Sequence, residues 1–379
     1  MKAAGAVIAG IGQTEFSKDS GRSELQLAAE ASLAAIADAG LTPAAIDGTV
    51  TFAIDPSDEL SLIRTLGIPE LHYTARTRGG GGGVNATIQL AATAVLAGAA
   101  DAVLVYRAFN ERSGRRFGQP VAGLRDPTWN WYQPFGVDTP AKIYGLQFQR
   151  YMARYGATNE DFGRYTVVAR RHAATNPAAW FYGRPITLDD HQSSRWIVEP
   201  VLRLLDCCQE SDGGVALVVT REDRLADLPN GGARIVAADQ VQLANGDEMF
   251  NYFHPEMAEF PEAMSLGRRL YERAGVGPDD IDVAMIYENF SPIVHVQLEA
   301  YGFCGPGEAS EFIAAGNIDI GGTIPVNTNG GLLGEAYIHG MNNITEAVRQ
   351  LRGTAANQVA GADRVLVATG RSGLILGRP

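Results

Sequence analysis

Three short segments bring together residues whose types and spacing suit chemistry. In Met285-Ile286-Tyr287-Glu288-Asn289-Phe290 an apolar run ends at a polar cluster. In open α/β sheets, ligands bind outside the carboxyl ends of strands. A second segment runs from Asn327 to Gly340. Its turn holds Gly330 and Gly331, and a phenol (Tyr337) and an imidazole (His339) stand two residues apart. Backbone N–H groups at such a turn make a site for an oxyanion or a carbonyl oxygen. The third segment is the glycine run Gly79 to Gly83 at the start of an Ala-rich stretch, where backbone can approach a ligand closely. A phenol ionises only near pH 10 in water. For chemistry, a phenol in either segment needs tuning by neighbours, with His339, Asn289 and Glu288 as candidates, or serves as an acid and hydrogen-bond donor. No Lys-Ser/Thr follows the glycine run, so it is not a P-loop, and a run of glycines matches the dinucleotide fingerprint only trivially.

The elements that must position these residues come in two related sets. Ala39-Gly40-Leu41-Thr42-Pro43-Ala44-Ala45-Ile46-Asp47 reappears as Ala274-Gly275-Val276-Gly277-Pro278-Asp279-Asp280-Ile281-Asp282, and the same shift carries Phe52 onto Tyr287. Ala97-Gly98-Ala99-Ala100-Asp101 has its counterpart in Ala360-Gly361-Ala362-Asp363. So long a period means two similar half-domains, with a site at the seam between them. In the first half the pattern predicts strands at 5–11, 50–54 and 102–106 and helices at 23–39 and 84–97. The second half predicts strands at 234–239, 283–287, 364–368 and 373–377 and helices at 261–274 and 341–351. This alternation is an α/β pattern with a mostly parallel sheet. Residues 107–195 interrupt it and form an insertion rich in aromatics (Trp129, Trp131, Tyr144, Trp180, Phe181) and arginines (Arg112, Arg115, Arg116, Arg150, Arg154, Arg170, Arg171). It reads as a helical subdomain and as a cap, its arginines suited to phosphates and its aromatics to an apolar substrate. The expected units are 1–106 plus 196–225, the cap 107–195, and 233–379.

A net charge of −12 argues against nucleic acid and against a polybasic membrane anchor. No apolar stretch reaches the roughly 20 residues of a membrane helix. The first residues read as a strand rather than a signal peptide. Three cysteines, Cys207, Cys208 and Cys304, give no zinc spacing, and a cytoplasmic location fits best. Beside apolar strands they read as packing residues. No metal site is expected.

The same segments, with Gly10-Ile11-Gly12-Gln13-Thr14-Glu15-Phe16, Leu205-Asp206-Cys207-Cys208-Gln209-Glu210-Ser211-Asp212 and Arg170-Arg171-His172-Ala173-Ala174-Thr175-Asn176-Pro177, resemble the thiolase superfamily over nearly the whole length. The resemblance is to its sterol-carrier and lipid-transfer-protein branch. It implies two pseudo-twofold-related βαβαβ halves in a five-layered arrangement with a capping insertion. The departures carry the functional expectation. The position of the thiolase nucleophilic cysteine falls on Gly81, that of the Gly-His-Pro histidine on Tyr337, and that of the second cysteine near Ala368. The residue opening the remaining active-site motif falls on Tyr287. The covalent machinery of a thiolase is therefore absent, and a tyrosine pair stands in its place, as in the steroid side-chain aldolases of this branch.

That resemblance implies a retro-aldol carbon–carbon lyase acting on a bulky, steroid-derived β-hydroxyacyl-CoA, giving a ketone and a short acyl-CoA such as propionyl-CoA. Coenzyme A is part of the substrate and no cofactor is retained. Tyr287, Tyr337, His339 and Asn289 are the expected catalytic residues, and Gly81, Gly330 and Gly331 the expected lining of the acyl-CoA pocket. The resemblance also implies a homodimer joined to an OB-fold and zinc-ribbon partner of DUF35 type in a heterotetramer. Two other readings compete. One is a lyase or condensing enzyme on a non-steroid acyl-CoA; the other is a non-catalytic scaffold subunit of an acyl-CoA-processing complex.

Overall fold

The computed structural model describes residues 5–120, 127–246, 249 and 252–379. The first half runs β1 (Ala6–Gln13), α1 (Glu24–Asp38), β2 (Gly48–Phe52), α2 (Glu59–Leu66), β3 (Tyr73–Thr77), α3 (Val84–Leu96) and β4 (Ala102–Asn110). Helix α1 starts where Ser23 accepts the backbone N–H of Gln26, which satisfies one of the otherwise unpaired donors of the first turn. The insertion supplies α4 (Pro127–Tyr132), α5 (Pro140–Tyr155), α6 (Asn159–Thr175), α7 (Leu188–Ser193) and the small hairpin β5 (Trp196–Val198) and β6 (Leu202–Arg203). Proline at the first turn of α5 and a Thr158–Asp161 capping box on α6 fix where these helices begin. The chain then returns to the sheet as β7 (Asp212–Arg221).

The second half repeats the scheme with β8 (Ala233–Gln240), α8 (Pro261–Ala274), β9 (Val283–Ile286), α9 (Pro292–Ala300), α10 (Ala309–Ala314), α11 (Gly331–Gly334), α12 (Met341–Arg352), β10 (Arg364–Ala368) and β11 (Ser372–Gly377). The strands join in the order β3-β2-β4-β7-β1-β8-β11-β10-β9. Outward from the β1–β8 contact, each side reads the same way. β7 matches β11, β4 matches β10, β2 matches β9, and β3 is matched by a parallel bridge from Ala284 to Val326. The repeat seen in the sequence is thus a structural pseudo-twofold.

The sheet is mixed rather than mostly parallel. Among the strand pairs of the described residues, β2–β3, β2–β4 and β9–β10 run parallel, whereas β4–β7, β7–β1, β1–β8, β8–β11 and β10–β11 are antiparallel. Helix–strand alternation reports the parallel crossovers. It is silent about the strands that each half adds by direct return.

Three apolar layers separate the elements. α1 covers one face of the first-half strands through Leu27, Ala31, Ile36, Leu104 and Val218. α8 and the insertion cover the outer face of the second half through Leu266, Phe162, Ile286 and Leu366. The innermost layer joins Phe52, Ile88 and Val105 of the first half to Met285, Ile344 and Val367 of the second. α3 and α12 each touch strands of both halves. The order is therefore helix, first half of the sheet, central helix pair, second half of the sheet, helix, which is the five-layered arrangement. No helix among the described residues is long and apolar enough to cross a membrane, and none of their His, Cys, Asp and Glu side chains group as metal ligands.

Candidate active site

A cavity of about 1270 Å³ opens at the seam. It exceeds the roughly 300–1,000 Å³ of ordinary small-molecule sites. The first half contributes Gly79 to Gly83, the second half Tyr287, Asn289, Tyr337, His339 and Gly370, and the insertion Trp129, Tyr144 and Phe181. Gly81–Gly83 form the 3₁₀ turn that opens α3, so the positive end of that helix faces the cavity. Thr369 and Ser372 Oγ both donate to Gly82 O, at 3.0 and 2.7 Å, and tie the glycine turn to the opposite half.

Tyr287 and Tyr337 meet hydroxyl to hydroxyl at 2.9 Å. Tyr287 leaves the end of β9, its N–H donating to Ala368 O and its carbonyl accepting from Gln297. Tyr337 follows α11 and donates its N–H to Ser211 Oγ. Both rings are buried. Burial pushes both phenols well above their ordinary value, and the charge of Glu111 adds to the rise in each. Gly81 is what lets Tyr287 stand there: a Cβ at position 81 would lie 1.9 Å from the ring. The space that a side chain at position 81 would take is filled by a phenol from the other half.

His339 sits beside the pair, its ring edge-on to Tyr337 at 5.1 Å and stacked on Phe109 at 5.1 Å. Its Nδ1 accepts a hydrogen bond from Arg107 Nε at 3.1 Å. An arginine only donates, so the imidazole carries its proton on Nε2, next to Gly80. Burial and the Arg107 charge hold His339 well below its usual range, and it is neutral. Arg107 is in turn paired with Asp55 at 2.8 Å, both fully buried. His339 is thus a fixed hydrogen-bond donor, not a base. Asn289 lines the cavity, and its Oδ1 has no partner among the described residues.

Other expected residues lie elsewhere. Glu288 points away from the cavity and accepts from Tyr165 at 2.9 Å and from Leu332 N at 2.7 Å. Gly330 and Gly331 do not line the cavity. A Cβ on the first would strike Ala173 and one on the second would strike Glu288. Their N–H groups are spent on Asn327 O and Asn329 Oδ1. This turn packs α11 on α6 and offers no donor to a ligand. Cys207 and Cys208 reach the cavity wall, but burial raises both thiols far above the reactive range. Cys304 is pushed up to about 12. Of the insertion's arginines, Arg112, Arg115, Arg116 and Arg170 line the cavity. Arg150 and Arg154 are held by Glu256, and Arg171 by Asp319.

Sequence reasoning missed Asp55, Arg107 and Glu111. A charged residue continuing the apolar run of β4 was the available signal for Arg107, because a strand interior tolerates one only with a partner.

The thiolase C-terminal domain-like family matches residues 252–376. The chain is 55% identical to a steroid side-chain-cleaving aldolase of Thermomonospora curvata, over 98% of this chain and 97% of that one. It is 52% identical to the 17-hydroxy-3-oxo-4-pregnene-20-carboxyl-CoA lyase of Mycobacterium tuberculosis, over 98% and 99%. The solved structure of an Ltp2-ChsH2(DUF35) aldolase matches with a TM-score of 0.94 and 55% identity, over 99% of this chain and 98% of that one.

Proposed function

This chain belongs to the thiolase superfamily, in the branch of the steroid side-chain-cleaving aldolases, and from that premise we propose that it cleaves a bulky, steroid-derived β-hydroxyacyl-CoA by a retro-aldol reaction. The products are a ketone and a short acyl-CoA. It is a carbon–carbon lyase and not a working thiolase. For a substrate like that in the Mycobacterium tuberculosis relative's name, the hydroxyl is on C17 and the thioester carbonyl is attached to C20. Breaking the C17–C20 bond leaves a 17-ketone and propionyl-CoA.

The observation that carries this reading is the hydroxyl-to-hydroxyl contact of Tyr287 and Tyr337 on the wall of a large cavity. Two hydroxyls share one hydrogen bond, which leaves one O–H and a lone pair for substrate. Both phenols stay protonated near neutrality. They serve as hydroxyls that hand a proton from the β-hydroxyl onward, rather than as a standing phenolate. The thioester takes up the electron pair as an enolate, so no metal or Schiff base is needed. His339 Nε2–H, the amide of Asn289 and the N-terminal end of α3 favour the negative charge that develops.

The protein acts as a homodimer with a DUF35-type partner, an OB fold with a zinc ribbon, in a heterotetramer. The support is the 55% identity to an aldolase whose name joins Ltp2 to ChsH2(DUF35). Light scattering of the complex checks the assembly, and a monomeric chain would count against it. The cytoplasm remains the compartment of choice.

Incubating the purified complex with a 17-hydroxysteroid C20-carboxyl-CoA tests the function. Ketone and propionyl-CoA in equal amounts, formed without added coenzyme A, are expected. Absence of both products, or cleavage only when free coenzyme A is supplied, overturns the reading.

A further inference from the structure

A proton handed on by the tyrosine pair needs an acceptor, and the following inference rests on the aldolase reading above. Most titratable groups on the cavity wall are already committed. His339 has Nδ1 occupied by Arg107 and a proton on Nε2. Glu210 is bound to Arg116 at 2.6 Å. Glu262 is held by His254 at 3.0 Å. Cys207 and Cys208 remain thiols. Lys18 is held by Gln209 and by the carbonyl of Glu210.

Glu111 is different. It follows the last residue of β4, is 2% exposed, and belongs to the cavity wall. Its Oε2 has no hydrogen-bond partner among the described residues. A buried carboxylate oxygen without a partner is costly and calls for an explanation, a catalytic role being one. Glu111 also borders the residues that seat Tyr337. Phe109, two positions earlier, meets the Tyr337 ring edge-on. Ser211, whose carbonyl accepts the Glu111 N–H at 3.3 Å, accepts the Tyr337 N–H on its hydroxyl.

The charges around Glu111 set its titration. Burial and the neighbouring Glu210 raise its carboxyl well above the usual range, while the backbone N–H groups of Phe117 and Ser211 and the Lys18 ammonium oppose the rise. Arg112 lies on the far side of this cluster, 3.9 Å from Glu210. Cys208, Tyr287 and Tyr337 face it as neutral groups, and its negative charge disfavours ionisation of all three. A Glu111 carboxylate and a phenolate thus exclude each other. That is the relation required of groups that exchange one proton.

We propose that Glu111 is the proton acceptor behind the tyrosine pair. In the cleavage step the bond between the carbinol carbon and the α-carbon breaks, and its electrons form the thioester enolate. The carbinol O–H electrons form the ketone carbonyl, and the released proton passes through the tyrosine hydroxyls and one intervening water to the Glu111 carboxylate. In the second step Glu111 returns that proton, by the same hydroxyls, to the enolate α-carbon. No proton is gained or lost overall. Glu111 does not touch the reacting carbons; it acts through the tyrosines.

The test uses the chain with its partner and the steroid acyl-CoA above. Glu111→Gln keeps shape and removes the charge. It should lower kcat by about 10²–10⁴-fold with KM changed only a few-fold. The wild-type kcat should fall as pH drops through the raised Glu111 value, and that acid limb should vanish in Glu111→Gln. Glu111→Asp should recover part of the rate and retain an acid limb. A Glu111→Gln enzyme with wild-type kcat and an intact acid limb overturns the proposal. So does a folded Glu111→Asp as slow as Glu111→Gln with no acid limb. A wild-type complex that forms no ketone overturns instead the aldolase reading beneath it, so the two failures are distinct.

Discussion

Gly81 and Tyr287 are coupled by volume, because the Tyr287 ring occupies the space that any side chain at position 81 would fill. Gly81→Ala should therefore lower stability by about 1–3 kcal/mol through overpacking and displace the phenol. Gly82→Ala, whose Cβ would meet nothing within 4 Å, is the control. Equal denaturation midpoints for the two variants would refute the coupling. The hydroxyls themselves are tested by Tyr287→Phe and Tyr337→Phe. Each removes one end of the 2.9 Å contact with little change of volume. Each should lower kcat by about 10²–10⁴-fold with near-normal unfolding curves, and near-normal rates in both would remove the pair from the chemistry. At this scale the resemblance singled out Tyr287 and Tyr337, and the structure brings their hydroxyls together. The sequence was not legible where a partner lay far along the chain. Nothing near Arg107 announces Asp55 or His339, and these pairings exist only after β2, β4 and the Tyr337 loop have met.

The loop from Asn327 to Gly340 shows how an element can carry the right residues for a different reason. Its glycines suggested donors for a ligand, yet the turn spends those donors internally. Glu288 is central to that packing, with Tyr165 and Leu332 N on one carboxylate oxygen. Burial pushes its carboxyl up to about 8, from 4.5 when exposed. Between those values the folded chain keeps a proton that the unfolded chain has released. Stability should therefore fall as pH rises across that window. Glu288→Gln mimics the protonated form and should flatten this part of the pH–stability curve. Urea unfolding at several pH values measures it, and an unchanged slope would contradict a protonated Glu288. Other elements escaped the sequence for simple reasons. β3 is a half-exposed edge strand with alternating burial and no apolar run. α2 is two turns long. The insertion's helices were foreseen in kind, and α5 to α7 are now placed by their caps.

On the scale of the whole molecule, the repeat was the most legible feature, because each half must reproduce the same hydrophobic layers to fold. The cavity follows from it, since two halves meet where their central helices and strand ends converge. The cap was legible only as an interruption. Which of its arginines face the cavity depended on acidic partners such as Glu256 and Asp319, remote in sequence from the arginines they hold. A chain with net charge −12 offers no general attraction for the phosphates of coenzyme A. The proposed DUF35-type partner should therefore raise kcat/KM on the steroid acyl-CoA at matched ionic strength, and equal values with and without it would leave it a role in stability alone. The retro-aldol claim itself is tested most directly by a single turnover of the complex in D₂O without free coenzyme A. An enolate protonated on the enzyme should yield propionyl-CoA carrying one deuterium on the carbon next to the thioester, together with the steroid ketone. Propionyl-CoA free of deuterium, or cleavage that waits for added coenzyme A, would contradict it.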